Sequence, residues 1–292
     1  MATATASAAR ARTHLRREVV RHVIFYLVLL PLALVFVLPL VWMISTSLKD
    51  NLQMAASPPI WIPTPIRWDN YGKALTSLPF GLYLGNTLQI TLLGLLGQML
   101  SCTAAAYAFA RLRFPGRDTL FVVVLATMML PGVVTLIPTF ILFKQLGWLN
   151  TFAPLIVPAW FGAGGGAFYI FMLRQFFKTI PMELSEAAKI DGASNFRIYY
   201  QIVIPLAKPA LATVAIFSFM AHWNDFIGPL IYLNTADKLT LTLGLRQFMQ
   251  QYTTQFQYMM AISTLMALPI IAIFFFAQKY FIQGVVMSGI KG

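Results

Sequence analysis

The chain has 292 residues, of which 59% are hydrophobic and only 10% charged, with a mean hydropathy of +0.73. A soluble domain carries about 25% charged residues, so a water-soluble globular fold is excluded and the whole chain is expected in a bilayer. The net charge of +12 would suggest nucleic acid in a soluble protein, but here apolar runs separate small basic clusters, which is the pattern of membrane spans and their loops and implies no nucleic-acid partner.

Residues 1–21 carry Arg10, Arg12, Arg16, Arg17 and Arg21 and read as a disordered basic tail. They do not read as a cleaved leader, because the apolar run from Val23 to Ser47 far exceeds the roughly 7–15 residues of a secretory signal core. A span needs about 20 apolar residues, and six candidates follow, at roughly 23–46, 86–110, 119–143, 152–173, 209–233 and 259–281. The expectation is an all-α integral membrane protein with six transmembrane helices in one domain, 22–292, behind the tail. Residues 47–85, with Pro58-Pro59, Trp61, Pro63, Pro65, Trp68 and Tyr71, read as an ordered extended cap. The lone Cys102 falls in a small-residue run inside the second span and excludes an internal disulfide or a thiol metal site. Pro131, Gly132 and Pro138 should break or kink the third span, and Pro158 with Gly162 to Gly166 the fourth. Such breaks persist in lipid only where protein or a water-lined path satisfies the freed backbone groups. Segment 234–258 has aromatics at Phe248, Tyr252, Phe256 and Tyr258, a spacing that fits a helix on the surface.

The basic residues set an orientation. With the N-terminus inside, that side also holds Arg111, Arg113 and Arg117, then Arg174, Lys178, Lys189, Arg197 and Lys208, and finally Lys279 and Lys291. The outside holds only Lys49, Arg67, Lys73, Lys144, Lys238 and Arg246. The bias places both termini in the cytoplasm, and the loop 181–205 with them.

That loop is the polar interruption that matters most. It contains Glu186-Ala187-Ala188, then Asp191-Gly192, then Ile202-Val203-Ile204-Pro205. Two small helix formers let a partner surface approach the backbone closely, and Gly192 can take positive φ to stop a short helix and turn the chain into a second one. Glu186 is left to pair either with a basic group on a partner or locally with Lys189 at i,i+3. The pattern Glu-Ala-Ala, three residues, Gly, nine residues, Ile-x-Ile-Pro resembles the cytoplasmic coupling loop of binding-protein-dependent ABC importer permeases, with Ile204 where that family usually has Leu. The resemblance implies the type I ABC importer permease fold and a loop whose Glu186, Ala187, Ala188, Asp191, Gly192, Ile202 and Pro205 engage an ATPase subunit.

Other motifs carry less. Gly162-x-Gly164-x-x-Ala167 lacks the preceding strand and following acid of a dinucleotide site, and close helix packing is the expectation there. Gly284 to Lys291 lacks the Gly-Lys-Ser/Thr order of a phosphate loop. Three histidines, His14, His22 and His222, form no catalytic or metal pattern, so an enzyme, a bound cofactor and a metal site are not expected. Asp225 is the one acid within a span and, at about 3 kcal/mol for a lipid-exposed charge, should face protein or water. With Trp223 and Asn224 it forms either a translocation-path contact or an interhelical hydrogen-bond cluster holding two permease subunits together. The Trp-Asn-x-Phe pattern and the tail ending Gly289-Ile290-Lys291-Gly292 are similar to those of maltose-type carbohydrate permeases. In that family the tail reaches the ATPase interface, so Gly289, Lys291 and Gly292 are candidate ATPase contacts.

Taken together, the resemblance implies a permease subunit of a sugar or oligosaccharide importer in the bacterial inner membrane. Its partners would be a second homologous permease, an ABC ATPase dimer using ATP with Mg, an extracytoplasmic solute-binding protein and membrane lipid. On ATP binding, the loop would act as a lever attached to spans four and five. A different cargo such as glycerol-3-phosphate or a polyamine is the alternative, and an autonomous secondary transporter a further one. No Lys or Arg interrupts the spans, Lys279 standing only at the cytoplasmic end of the last, which favours a neutral cargo, and they lack the several buried acids that ion coupling requires.

Overall fold

The computed structural model describes residues 2–251 and 255–289, and every regular element among them is helical. In chain order these are α1 (Ala2–Ser47), α2 (Asn51–Met54), α3 (Asp69–Ser77), α4 (Phe80–Arg111), α5 (Arg117–Thr127), α6 (Gly132–Gln145), α7 (Ala153–Trp160), α8 (Gly166–Thr179), α9 (Met182–Ile190), α10 (Asn195–Ile198), α11 (Ile204–Leu206), α12 (Lys208–Trp223), α13 (Ile227–Tyr232), α14 (Leu241–Gln251) and α15 (Phe256–Gly289). Among the described residues, three helices are long and apolar enough to cross a membrane: Val20–Ser47, Phe80–Arg111 and Phe256–Gln278. The count reaches five if the bent pair α5–α6 and the segment Asn195–Leu206 with α12 are each taken as one span.

The helices depart from the sequence expectation at several places, each for a local reason. The basic tail is not disordered here. It continues α1 back to Ala2, in keeping with its alanines and arginines, which are strong helix formers. The second span starts at Phe80, six residues before its apolar run. Pro131 divides the third, where α5 and α6 meet at 97°; proline donates no N–H and disfavours helix at the residue before it. The fourth run is two helices, because Gly162, Gly164 and Gly165 all take positive φ between α7 and α8. The glycine run is therefore a turn and not the expected helix-crossing face.

The chain divides into two compact units, residues 1–74 with 252–264 and residues 75–251 with 265–292. In the first unit, the Pro/Trp segment is an ordered cap. Asn70 donates through its amide to both Ser47 O and Lys49 O at 2.8 Å, Tyr71 and Ser47 share a hydroxyl hydrogen bond, and Gln257 donates to Asn51. Lys49 is almost fully buried with its ammonium 3.7 Å from the centre of the Trp42 ring, and burial holds its pKa below the usual lysine value.

The second unit is organised around α4, which packs against α7, α8 and α12. Side chains of α4 donate to carbonyls of the α7–α8 turn and its flanks. Gln98 donates to Ala163 O, Ser101 to Ala159 O, and the Cys102 thiol to Gly166 O. Trp160 returns a bond from its indole N–H to Leu93 O. Its ring lies so close to α4 that a Cβ on Gly97 would sit 2.1 Å from it, and one on Gly94 would sit 2.4 Å from the His222 ring. Gly97→Val is accordingly expected to destabilise the protein by about 1–3 kcal/mol through overpacking, read as a lower midpoint of thermal unfolding in detergent. Of the segment expected as a surface helix, α14 covers only Leu241–Gln251, its Phe248 is fully buried against Phe80, and Phe256 and Tyr258 belong to α15.

The apolar core of this unit lies at one end. Tyr107, Leu173, Phe177, Ile198, Val203 and Val214 meet there, which brings α4, α8 and α12 together with the loop 181–205.

Candidate functional site

The loop 181–205 folds as the short helix, turn and second helix that its glycine predicts. Pro181 precedes α9, which ends in a hydrogen-bonded cap: Gly192 takes φ +77°, its N–H bonds to Lys189 O, and Ala193 N–H bonds to Ala188 O at 2.8 Å. This pair of bonds around a left-handed residue is the Schellman motif. Ser194 then caps α10 by accepting from Arg197 N–H. Pro205 cannot donate, and the chain ahead of it opens into a wider π-type turn over Tyr199–Val203. An 82° bend at Ala207 then leads into α12.

The two faces of this knob differ. Ser185 is buried, and Ala188, Ala193, Ile202 and Ile204 pack partly against the core. The opposite face, spaced at three to four residues, presents Glu183, Glu186, Ala187 and Ile190 to solvent, with Asp191 beside them. Ile190 is 87% exposed and Phe196 71%. Among the described residues Glu186 makes no ion pair with Lys189, so its carboxylate is not used locally. Pro205 is exposed and Ile202 half-buried.

Three residues of α4 hold the knob, none of them anticipated as such. Thr103 shares a 2.7 Å hydrogen bond with the Tyr199 hydroxyl, and Tyr107 donates to Asn195 O at 3.0 Å. Arg111 is buried and donates from one guanidinium nitrogen to Phe177 O and Ile180 O, and from another to Met182 Sδ. It ties the end of α8 to the start of α9. The signal was in the sequence: polar groups at 103, 107 and 111 recur every four residues and so share one helix face. Arg111 had counted only as a topological charge.

The structure separates the three path candidates. Trp223 ends α12 with 2% exposure, stacks on Phe219 and donates its indole N–H to Met266 O. Asn224 is exposed and its amide bonds back to Met220 O. Asp225 lies in the break between α12 and α13, where it accepts from Gly228 N–H at 3.1 Å. It borders a cavity of about 380 Å³ together with His222, Thr139 and Tyr232. His222 and Asp225, three residues apart, both reach this space. Of the tail, Gly289 is the last residue of α15, while Lys291 and Gly292 lie outside the described residues.

Comparison with known proteins agrees with this geometry. A family model described as "Binding-protein-dependent transport system inner membrane component" matches residues 97–287. The arabinooligosaccharides transport system permease protein of Halalkalibacterium halodurans is 32% identical over 266 residues, covering 89% of this chain and 93% of that protein. The sn-glycerol-3-phosphate transport system permease protein of Yersinia enterocolitica is 33% identical over 270 residues, covering 90% and 92%. A chain in the crystal structure of a bacterial ABC transporter involved in the import of the acidic polysaccharide alginate superposes with a TM-score of 0.78 at 25% identity, covering 91% of this chain and 98% of that one.

Proposed function

The chain belongs to the family of binding-protein-dependent transport system inner membrane components, the permease subunits of ABC importers, and from that premise we propose that it carries sugars or oligosaccharides delivered by an extracytoplasmic solute-binding protein. It works in the bacterial inner membrane beside a second, related permease, with six crossings and both termini in the cytoplasm. Two ATPase subunits on the cytoplasmic side bind and hydrolyse ATP with Mg. The distribution of Lys and Arg supports this sidedness, and the arabinooligosaccharide relative supports the cargo class.

The observation that carries the reading is the exposed face of α9, where Glu186, Ala187 and Ile190 stand out on a helix whose other face is built into the core. An isoleucine and a phenylalanine at 87% and 71% exposure on a polar loop suit a partner groove. Closure of the ATPase dimer displaces the knob. The backbone passes this motion directly to α8 and α12, and Arg111, Tyr107 and Thr103 pass it to α4. The transmission therefore has three arms, one more than the two attached spans that the sequence suggested. Gly289, Lys291 and Gly292 provide a second contact with the ATPase pair.

Replacing Ile190 by Asp tests this. The side chain is 87% exposed, so the variant is expected to insert and keep its partner permease while losing copurified ATPase and solute uptake. Full retention of the ATPase, with uptake at the wild-type rate, would refute the docking face.

A further inference from the structure

The cavity beside Asp225 has no assigned role, and three observations converge on it. Its volume, about 380 Å³, falls in the range of roughly 300–1,000 Å³ typical of small-molecule sites. Both turns that interrupt apolar helices in this region open onto it, one through Gly164 and the other through Asp225. Irregular backbone at membrane depth is tolerated where it is buried in protein or lines a water-filled path. Four side chains bring polar groups to the cavity, a carboxylate, an imidazole and two hydroxyls, with no Lys or Arg among the lining residues.

We infer that this cavity is a binding site for the hydroxyl groups of a neutral saccharide on its way through the importer. The inference rests on the importer reading and adds to it the place of contact and the charge class of the cargo. Asp225 uses one oxygen to accept from Gly228 N–H, and its other oxygen packs so near Gly228 that a Cβ there would lie 2.5 Å away. The carboxylate is thus fixed in position, with lone pairs left to accept from the hydroxyls of a vicinal diol. With no Lys or Arg in the lining, the site offers a uronate or a phosphate no cationic partner. The Thr139 and Tyr232 hydroxyls lie 3.4 Å apart and can each donate or accept. The Tyr232 ring, held by Phe140 and Phe143, offers an apolar edge to the C–H face of a sugar. His222 is fixed by its Nδ1 bond to Ser218 O. Related permeases carry both neutral and anionic cargoes by name, so family membership leaves the charge class open; the cavity lining decides it.

The test uses the intact importer purified with its ATPase and binding protein, carrying Thr139→Cys. Labelling of that thiol by N-ethylmaleimide is followed with lactose, arabinotriose or diacetylchitobiose as neutral probes and trigalacturonate as the anionic one. At least one neutral saccharide should slow labelling severalfold, and trigalacturonate should not. Asp225→Asn keeps the cap on Gly228, since asparagine caps helices as well as aspartate does, but weakens the diol contact. Loss of a hydrogen bond to a charged group is expected to lower ATP-driven uptake by roughly tenfold or more. Tyr232→Phe, which keeps the ring, should lower uptake by a smaller factor. The inference is overturned if no neutral probe protects, if trigalacturonate protects equally, or if both variants take up cargo at the wild-type rate. If the unaltered complex shows no ATP-dependent uptake of any saccharide, the importer reading itself fails and takes this site with it.

Discussion

Gly192→Val is expected to cut ATP-driven uptake by roughly thirtyfold while leaving the protein in the membrane. The turn after α9 requires φ +77° at this position. A β-branched residue held in the left-handed region costs on the order of 2 kcal/mol, and about 1.4 kcal/mol is worth a factor of ten. The Schellman bonds from Gly192 and Ala193 would be the first lost, and with them the fixed angle between α9 and α10. No heavy atom lies within 4 Å of a Cβ placed there, so the penalty is conformational and falls on the knob, not on the core. Measuring ATP hydrolysis beside uptake separates the effects: hydrolysis should persist in part while uptake collapses. Gly192→Asn is the control, because asparagine tolerates the left-handed region and should retain most of the transport. Equal uptake by the Val variant and the wild type would show that the turn does not govern coupling.

Arg111→Leu should have an effect of similar size by a different route. The guanidinium supplies Phe177 O and Ile180 O with their hydrogen bonds, and each bond to a charged donor is worth about 1.5–3 kcal/mol. Leucine takes the charged donor from Ile180 O and leaves Phe177 O with only the 3.4 Å bond from Ile180 N–H. The expected outcome is a clearly lower melting midpoint and more ATP hydrolysed per solute moved, because α4 no longer follows the start of α9. Arg111→Lys should restore only part of this, since a single ammonium cannot reproduce the planar fork that reaches both carbonyls and Met182. A lower melting point with an unchanged ATP-to-solute ratio would reduce Arg111 to a purely structural residue.

What was legible in the sequence depended on whether the signal was local. The Gly192 turn, the α9 helix and the break at Pro131 follow from single residues with strict backbone demands, and they stand where those residues put them. The membrane character of α1, α4 and α15 follows from composition alone. Tertiary pairing was not legible. Gln98, Ser101 and Cys102 looked like an ordinary stretch of span until the α7–α8 turn was placed against them, where their polar atoms meet carbonyls of the turn and its flanks. Trp223 admits two readings in the sequence, a path contact or an interhelical hydrogen bond, and only the fold shows its indole N–H bonded to Met266 O. Asp225 drew attention for its cost in lipid; the structure adds that its carboxylate caps α13 and borders a cavity.

The importer account depends on which side of the membrane α9 faces and on what covers it there. Ala187→Cys gives a direct reading, because Ala187 is exposed and the native Cys102 is buried. A membrane-impermeant maleimide should label this thiol in inverted vesicles stripped of the ATPase, leave it unlabelled in intact cells, and fail again once the ATPase is restored. Labelling in intact cells, or labelling that the ATPase does not hinder, would contradict a cytoplasmic knob moved by a separate motor.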